Sequence, residues 1–345
     1  MKKYLILSLL IAFSVALVSC GSENNSSSSE TAPYEDTGFA MGTVVNQTIY
    51  SEDENITKEI INLLTETENN WISWRAEDSD IAKVNMNAGK NKPTEISEKT
   101  SKYISNALKV ADDSKGAFDP TIGKLTRLWD FDNSKNEIPD DKDIKSMLKD
   151  INYKDIKLEG NRISIKKHSS IDLGAAGKGI GCDEIETYLN SRDDVKGALV
   201  NVGGSSVFTY GEKNTQEPWK VAILNPRDEN DFLGAISVQG NNHISTSGDY
   251  ERYFEKDDKR YHHILDPHTG YPADKGLMSV TVVTNNGTIS DALSTACFVL
   301  GRDNSQSLLE KYEAEAIFVD REKNVYVTDG IKEKFELMAD GYKQI

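Results

Sequence analysis

The run Ile171-Asp172-Leu173-Gly174-Ala175-Ala176-Gly177-Lys178-Gly179-Ile180-Gly181 decides the fold class, because two periodicities meet in it. Upstream, residues 163–173 read as a strand; downstream, residues 177–189 carry apolar groups at helical spacing and predict a helix. Small residues at the junction let a neighbouring backbone or a phosphate come close. The helix N-terminus, together with Lys178, adds positive potential there. The run matches neither familiar phosphate loop. Lys178 is followed by Gly179 rather than Ser or Thr, and no glycine sits three after Gly179. A tight strand-to-helix packing turn is an equal reading of the same residues.

Working outward, residues 39–50 alternate as a strand, and residues 56–74 show a helical pattern through Ile60, Ile61, Leu63, Leu64 and Trp71. Residues 97–115 predict a second helix, with Ser97 or Thr100 as cap and Gly116 as its stop. Further strands are expected at 198–202, 219–224, 278–284 and 316–319, and helices at 289–300 and 304–312. Strands and helices are neither strictly alternating nor segregated, and no repeat is evident, so the class is α+β. Residues 37–345 are expected to form one large mixed catalytic domain.

The N-terminus carries a different signal. Lys2 and Lys3 precede an apolar run from Tyr4 to Val18, short of the roughly 20 residues that span a bilayer. Leu17-Val18-Ser19-Cys20 reads as a lipobox. Residues 1–19 are then a lipoprotein signal peptide, and Cys20 takes the lipid, several acyl chains giving lasting anchorage. Residues 20–36, rich in Ser, Asn and Glu, read as a flexible tether. The expectation is an exported protein, lipid-anchored to a bacterial membrane on its periplasmic face.

The formal net charge is −16, and loss of residues 1–19 removes Lys2 and Lys3 and no acid. So acidic a body repels nucleic acid. Any anionic ligand must be held by a local cation, a helix N-terminus or a metal. Cys182 and Cys297, far apart and each in an apolar helical pattern, read as buried thiols rather than a disulfide.

Chemistry concentrates between Ser245 and Thr295. Of five histidines, three fall in one short run, His262, His263 and His268. Asp291 and Thr295 lie four apart on a helical pattern and share a face. Two hard oxygen donors there suggest magnesium beside a proton-transfer group, although solvated or capping pairs have the same spacing. Trp71 and Trp74 fit a core pair as well as a stacking platform. Asp119 precedes Pro120 in a turn-rich loop and is functional only if the fold carries it into a site.

In order, Met41-Gly42-Thr43, the run from Gly116 to Gly123, Ile171 to Gly179, Val202-Gly203-Gly204, Ser245 to Tyr250, His263 to Gly270 and Asp291 to Ala296 resemble the ApbE family of FAD:protein FMN transferases. The resemblance implies that Met41, Trp74, Ala117, Phe118, Asp119, Asp172, Lys178 and Leu265 line an FAD site. It implies that the Ala175 carbonyl, Asp291 and Thr295 hold Mg²⁺. Trp74 stands where relatives often have Tyr, and Ser294 where some have a second Asp. The implied reaction moves FMN from FAD to a Thr or Ser hydroxyl of an acceptor protein and releases AMP. FMN-carrying subunits of NQR or Rnf complexes are the acceptors the family suggests. His263 is the candidate base, as an imidazole titrating near working pH; His262 and His268 read as surface or loop groups. FAD hydrolysis to FMN and AMP, and flavin binding without catalysis, are the alternatives.

Overall fold

A computed structural model describes residues 32–133 and 136–345; the expected signal peptide, Cys20 and the expected tether as far as residue 31 lie outside the described residues. Nine strands form the main sheet: β1 (Tyr34–Ala40), β2 (Thr43–Ser51), β3 (Val195–Val202), β4 (Ser206–Gly211), β5 (Asn242–Gly248), β6 (Leu277–Thr284), β7 (Glu315–Asp320), β8 (Asn324–Val327) and β9 (Lys343–Gln344). Their order across the sheet is their order along the chain. Every neighbouring pair is antiparallel except β8 and β9. The expected strand at 39–50 is therefore a hairpin, turned at Met41 and Gly42, both with positive φ.

All eight residues of β6 are buried, because both faces of the sheet are covered. One face packs against helices α1 (Ile56–Thr67), α2 (Glu98–Asp113), α3 (Gly177–Leu189), α4 (Gly287–Leu300) and α5 (Arg302–Lys311). The other packs against a small sheet of Trp219–Asn225, Asp228–Val238 and Phe335–Leu337. The result is one compact α+β unit. Cys182 and Cys297 are buried, free thiols, as their helical settings implied.

Two sequence expectations are corrected. The helix begun at Ile56 gives way to a π-helical turn at Glu68–Ile72, so it ends before Trp74. Of residues 163–173, only the first two are strand, the end of Arg162–Ser164, in a small sheet with Thr94–Glu95 and Lys157–Glu159. The rest follows loops. Asp172 N donates to the Pro120 carbonyl and Ile171 N to Asn85 Oδ1, while Gly123 N donates to the Ser170 carbonyl. Those backbone groups are satisfied by other segments, which leaves no ladder to form.

α3 and α4 meet through glycine. A Cβ on Gly179 would lie 2.0 Å from the Gly287 carbonyl oxygen, and one on Gly287 2.2 Å from the Gly179 oxygen. At this crossing each helix caps the other. Asp183 of α3 accepts from Gly287 N at 2.6 Å and Thr288 N at 2.9 Å, and Asp291 of α4 accepts from Gly179 N at 3.0 Å. A carboxylate thus faces the positive end of each partner helix.

Candidate active site

The crossing of α3 and α4 opens onto a cleft. Trp74, Ala117, Phe118, Asp119, Asp172, Ala175, Lys178, His263, Leu265, Asp291 and Thr295 all line it. Met41 lines an adjoining cleft that shares Trp74, Asp172 and Lys178. Residues spread over two hundred and fifty positions are gathered here by a hairpin turn, the ends of two helices and three loops.

Asp291 and Thr295, one turn apart on α4, face the cleft beside Ala175, which ends the loop before α3. Burial pushes the Asp291 carboxyl up to about 7, against the downward pull of the Gly179 N–H and Lys178. Among the described residues Asp291 makes no ion pair, so a carboxylate is held in a dry place without a cation in contact. With the Thr295 hydroxyl one turn on and Ala175 lining the same wall, this carboxylate suits a hard divalent ion. A second cluster, Asp183, Glu186 and His243, brings its ligand atoms within 4.8 Å of one another. There Asp183 is already occupied in capping α4, and His243 Nε2 contacts Glu186 at 3.0 Å.

The glycine-rich turn does not offer all of its N–H groups to a ligand. Asp291 takes that of Gly179, so the packing reading of the turn holds alongside any anion-binding one. Lys178 Nζ donates to Ser205 Oγ at 2.6 Å and lines the cleft. Asp172 accepts from Gly174 N, and burial raises its carboxyl while Arg75, Arg127 and Arg252 pull it down. Asp119 accepts from Thr121 N, Thr121 Oγ1 and Tyr153 N. Its oxygens brace the turn that shapes the cleft wall, although burial raises its carboxyl too.

The histidines differ from expectation. His263 lines the cleft with its Nδ1 enclosed and unpartnered. Burial, with Arg252, His262 and Lys178 nearby, holds its imidazolium well below the usual range, so it does not titrate near neutrality but stays neutral there. His262 is no surface group: it is buried, donates from Nε2 to the Ala273 carbonyl, and packs edge-on to Phe298. His268 is exposed on its loop, as expected.

Sequence reasoning missed the guanidinium groups around Trp74. Arg75 lies 4.2 Å and Arg127 4.9 Å from the ring centroid. Arg75 and Arg252 both bind Asp132, bridging the mouth of the cleft. No motif marks these arginines; only Arg252, next but one to the Ser245–Tyr250 run, had a signal nearby. Ser247 lay inside that run and also lines the cleft.

A family model described as the ApbE family matches residues 41–318. A protein of Klebsiella pneumoniae (strain 342) named FAD:protein FMN transferase is 31% identical over 322 residues, covering 92% of this chain and 98% of its own. One of the same name from Treponema pallidum (strain Nichols) is 29% identical over 341 residues, covering 92% and 93%. Among solved structures, the ApbE protein of Thermotoga maritima matches with a TM-score of 0.79 at 32% identity, over 88% of this chain and 99% of that one. The apo flavinyl transferase ApbE of Pseudomonas stutzeri matches with a TM-score of 0.77 at 27% identity, over 89% and 98%.

Proposed function

The chain belongs to the ApbE family, and from that membership we propose that it is an FAD:protein FMN transferase. It moves FMN from FAD to a threonine or serine hydroxyl of an acceptor protein and releases AMP. The observation that carries the reading is the meeting in one cleft of a hard-oxygen pair, a lysine and a neutral imidazole. Asp291, Thr295 and the Ala175 carbonyl are the residues to hold Mg²⁺, which when bound offsets charge on the pyrophosphate. Lys178 adds a fixed positive charge beside that position, and Trp74, Phe118 and Leu265 supply apolar walls for the flavin.

His263 is the base for the acceptor hydroxyl. Being neutral at working pH, it is always ready to accept a proton. Its weak basicity means the proton moves during transfer rather than before it. The signal peptide at 1–19, the lipid on Cys20, the tether at 20–36 and the catalytic domain at 37–345 complete the proposal, with the enzyme held on the periplasmic face of a membrane. The lipobox residues Leu17 to Cys20 support the anchor. FMN-carrying subunits of NQR or Rnf complexes are the acceptors proposed.

The test combines soluble protein starting after Cys20 with FAD, Mg²⁺ and an acceptor domain. Flavin fluorescence migrating with the acceptor on a denaturing gel is the expected result. Asp291→Ala should abolish it while FAD binding survives in weakened form. Full transfer by that variant in chelator would remove the magnesium role, and AMP with free FMN but no labelled acceptor would make the protein a hydrolase.

A further inference from the structure

Three hydroxyls are strung together at the wall of the cleft, one from β5 and two from α4. Ser247 Oγ lies 2.8 Å from Ser294 Oγ and 3.2 Å from Thr295 Oγ1, and Ser294 Oγ lies 2.8 Å from the Asp291 carbonyl oxygen. Each hydroxyl has a single proton to give. A carbonyl only accepts, so the proton of Ser294, a fully buried residue, goes to Asp291 O. The contact between the two serines is then a hydrogen bond only if Ser247 donates. The contact with Thr295 is one only if Thr295 donates. The chain has one consistent direction, from Thr295 through Ser247 and Ser294 to the backbone of Asp291.

We propose that this directed chain makes Thr295 a lone-pair donor toward the cleft, so that Ser247 and Ser294 are positioning residues of the metal site. The inference rests on the magnesium reading above. A hydroxyl that binds a dication must turn its proton away from the ion, and a helical threonine ordinarily points that proton at the carbonyl four residues back. Here that carbonyl is Asp291 O, which already accepts from Ser294, and Ser247 takes the threonine proton instead. Ser294 does not line the cleft. The serine at this position therefore acts behind the ligands, joining Asp291 to Thr295, and does not replace a coordinating carboxylate. Partners of this kind typically change metal affinity by about 10- to 100-fold.

The experiment titrates Mg²⁺ alone into soluble protein, reading the dissociation constant by calorimetry and the metal-induced rise in melting temperature. Ser247→Val and Ser247→Thr have the same shape and differ in the hydroxyl. The Val variant should bind Mg²⁺ about 10- to 100-fold more weakly, the Thr variant within about 3-fold of the parent. Ser294→Ala should behave like Ser247→Val. Equal affinities for the Val and Thr variants, or parental affinity in both Ser247→Val and Ser294→Ala, would overturn the inference. Asp291→Asn is the control for the reading beneath it: if that variant binds Mg²⁺ normally, the magnesium site itself is wrong, whatever the serines do.

Discussion

His263 and His262 are adjacent in sequence, yet only His263 lines the cleft. His262 gives its Nε2 proton to Ala273 O behind it, and the Nδ1 of each ring is enclosed with no partner. Replacing His263 with Asn keeps polarity and size but removes the proton acceptor. Single-turnover flavin transfer should fall by about 10²- to 10⁴-fold at saturating FAD, with the FAD dissociation constant little changed. Because the imidazolium lies well below the usual range, the parent rate should show no limb from this group between pH 6 and 8. Near-normal transfer by His263→Asn would eliminate the base; two carboxylates of the neighbouring sequence runs are already engaged, Asp249 gripped by both arms of Arg227 and Asp266 accepting from His268 N. At this scale the sequence was legible for residue identity but not for environment. Asp119 and Asp172 stand in recognisable runs, yet what saturates Asp119 is Tyr153 N, 34 positions away.

The elements that matter most are α3 and α4, whose N-termini are each capped by the other. Gly179→Ala forces a methyl against the Gly287 carbonyl, so the helices must part and Asp291 loses its N–H donor. Overpacking of this kind costs about 1–3 kcal/mol. Gly177→Ala, two residues earlier, would meet only Ile72 Cδ1 at 3.5 Å and should be nearly neutral. Urea midpoints should separate the two variants, and equal midpoints would show that the crossing tolerates a side chain. Helix 177–189 was legible to the residue because its apolar spacing is its own. Strands β4 and β5 were not, since their inward positions include Ser206, Thr209, His243, Ser245 and Ser247, buried polar groups that erase the alternation. Those groups are buried because partners on α3, α4 and neighbouring strands receive them, which no local pattern reports.

For the molecule as a whole, the buried imidazoles set an acid limit. Burial pushes His262 down to about 4 from an ordinary 6.5. The unfolded chain therefore binds a proton that the folded one refuses, and stability is lost as pH falls from 6.5 toward 4, by up to about 3 kcal/mol. Metal-free Asp291, raised to about 7, works in the opposite direction over its own window. The difference between parent and His262→Gln isolates the histidine: urea unfolding at pH 7 and pH 5 should show a steeper loss in the parent. Parallel losses would remove the attribution. The sheet itself has a consequence in time. Strands follow chain order, but β2 must wait for β3, and Ser51 meets Asp194 across 143 positions. The first hairpin to leave the ribosome is thus among the last to be locked in, because long-range pairing is slow. A polypeptide threaded outward from its N-terminus would hold Met41 ready long before the rest of its pocket had been delivered.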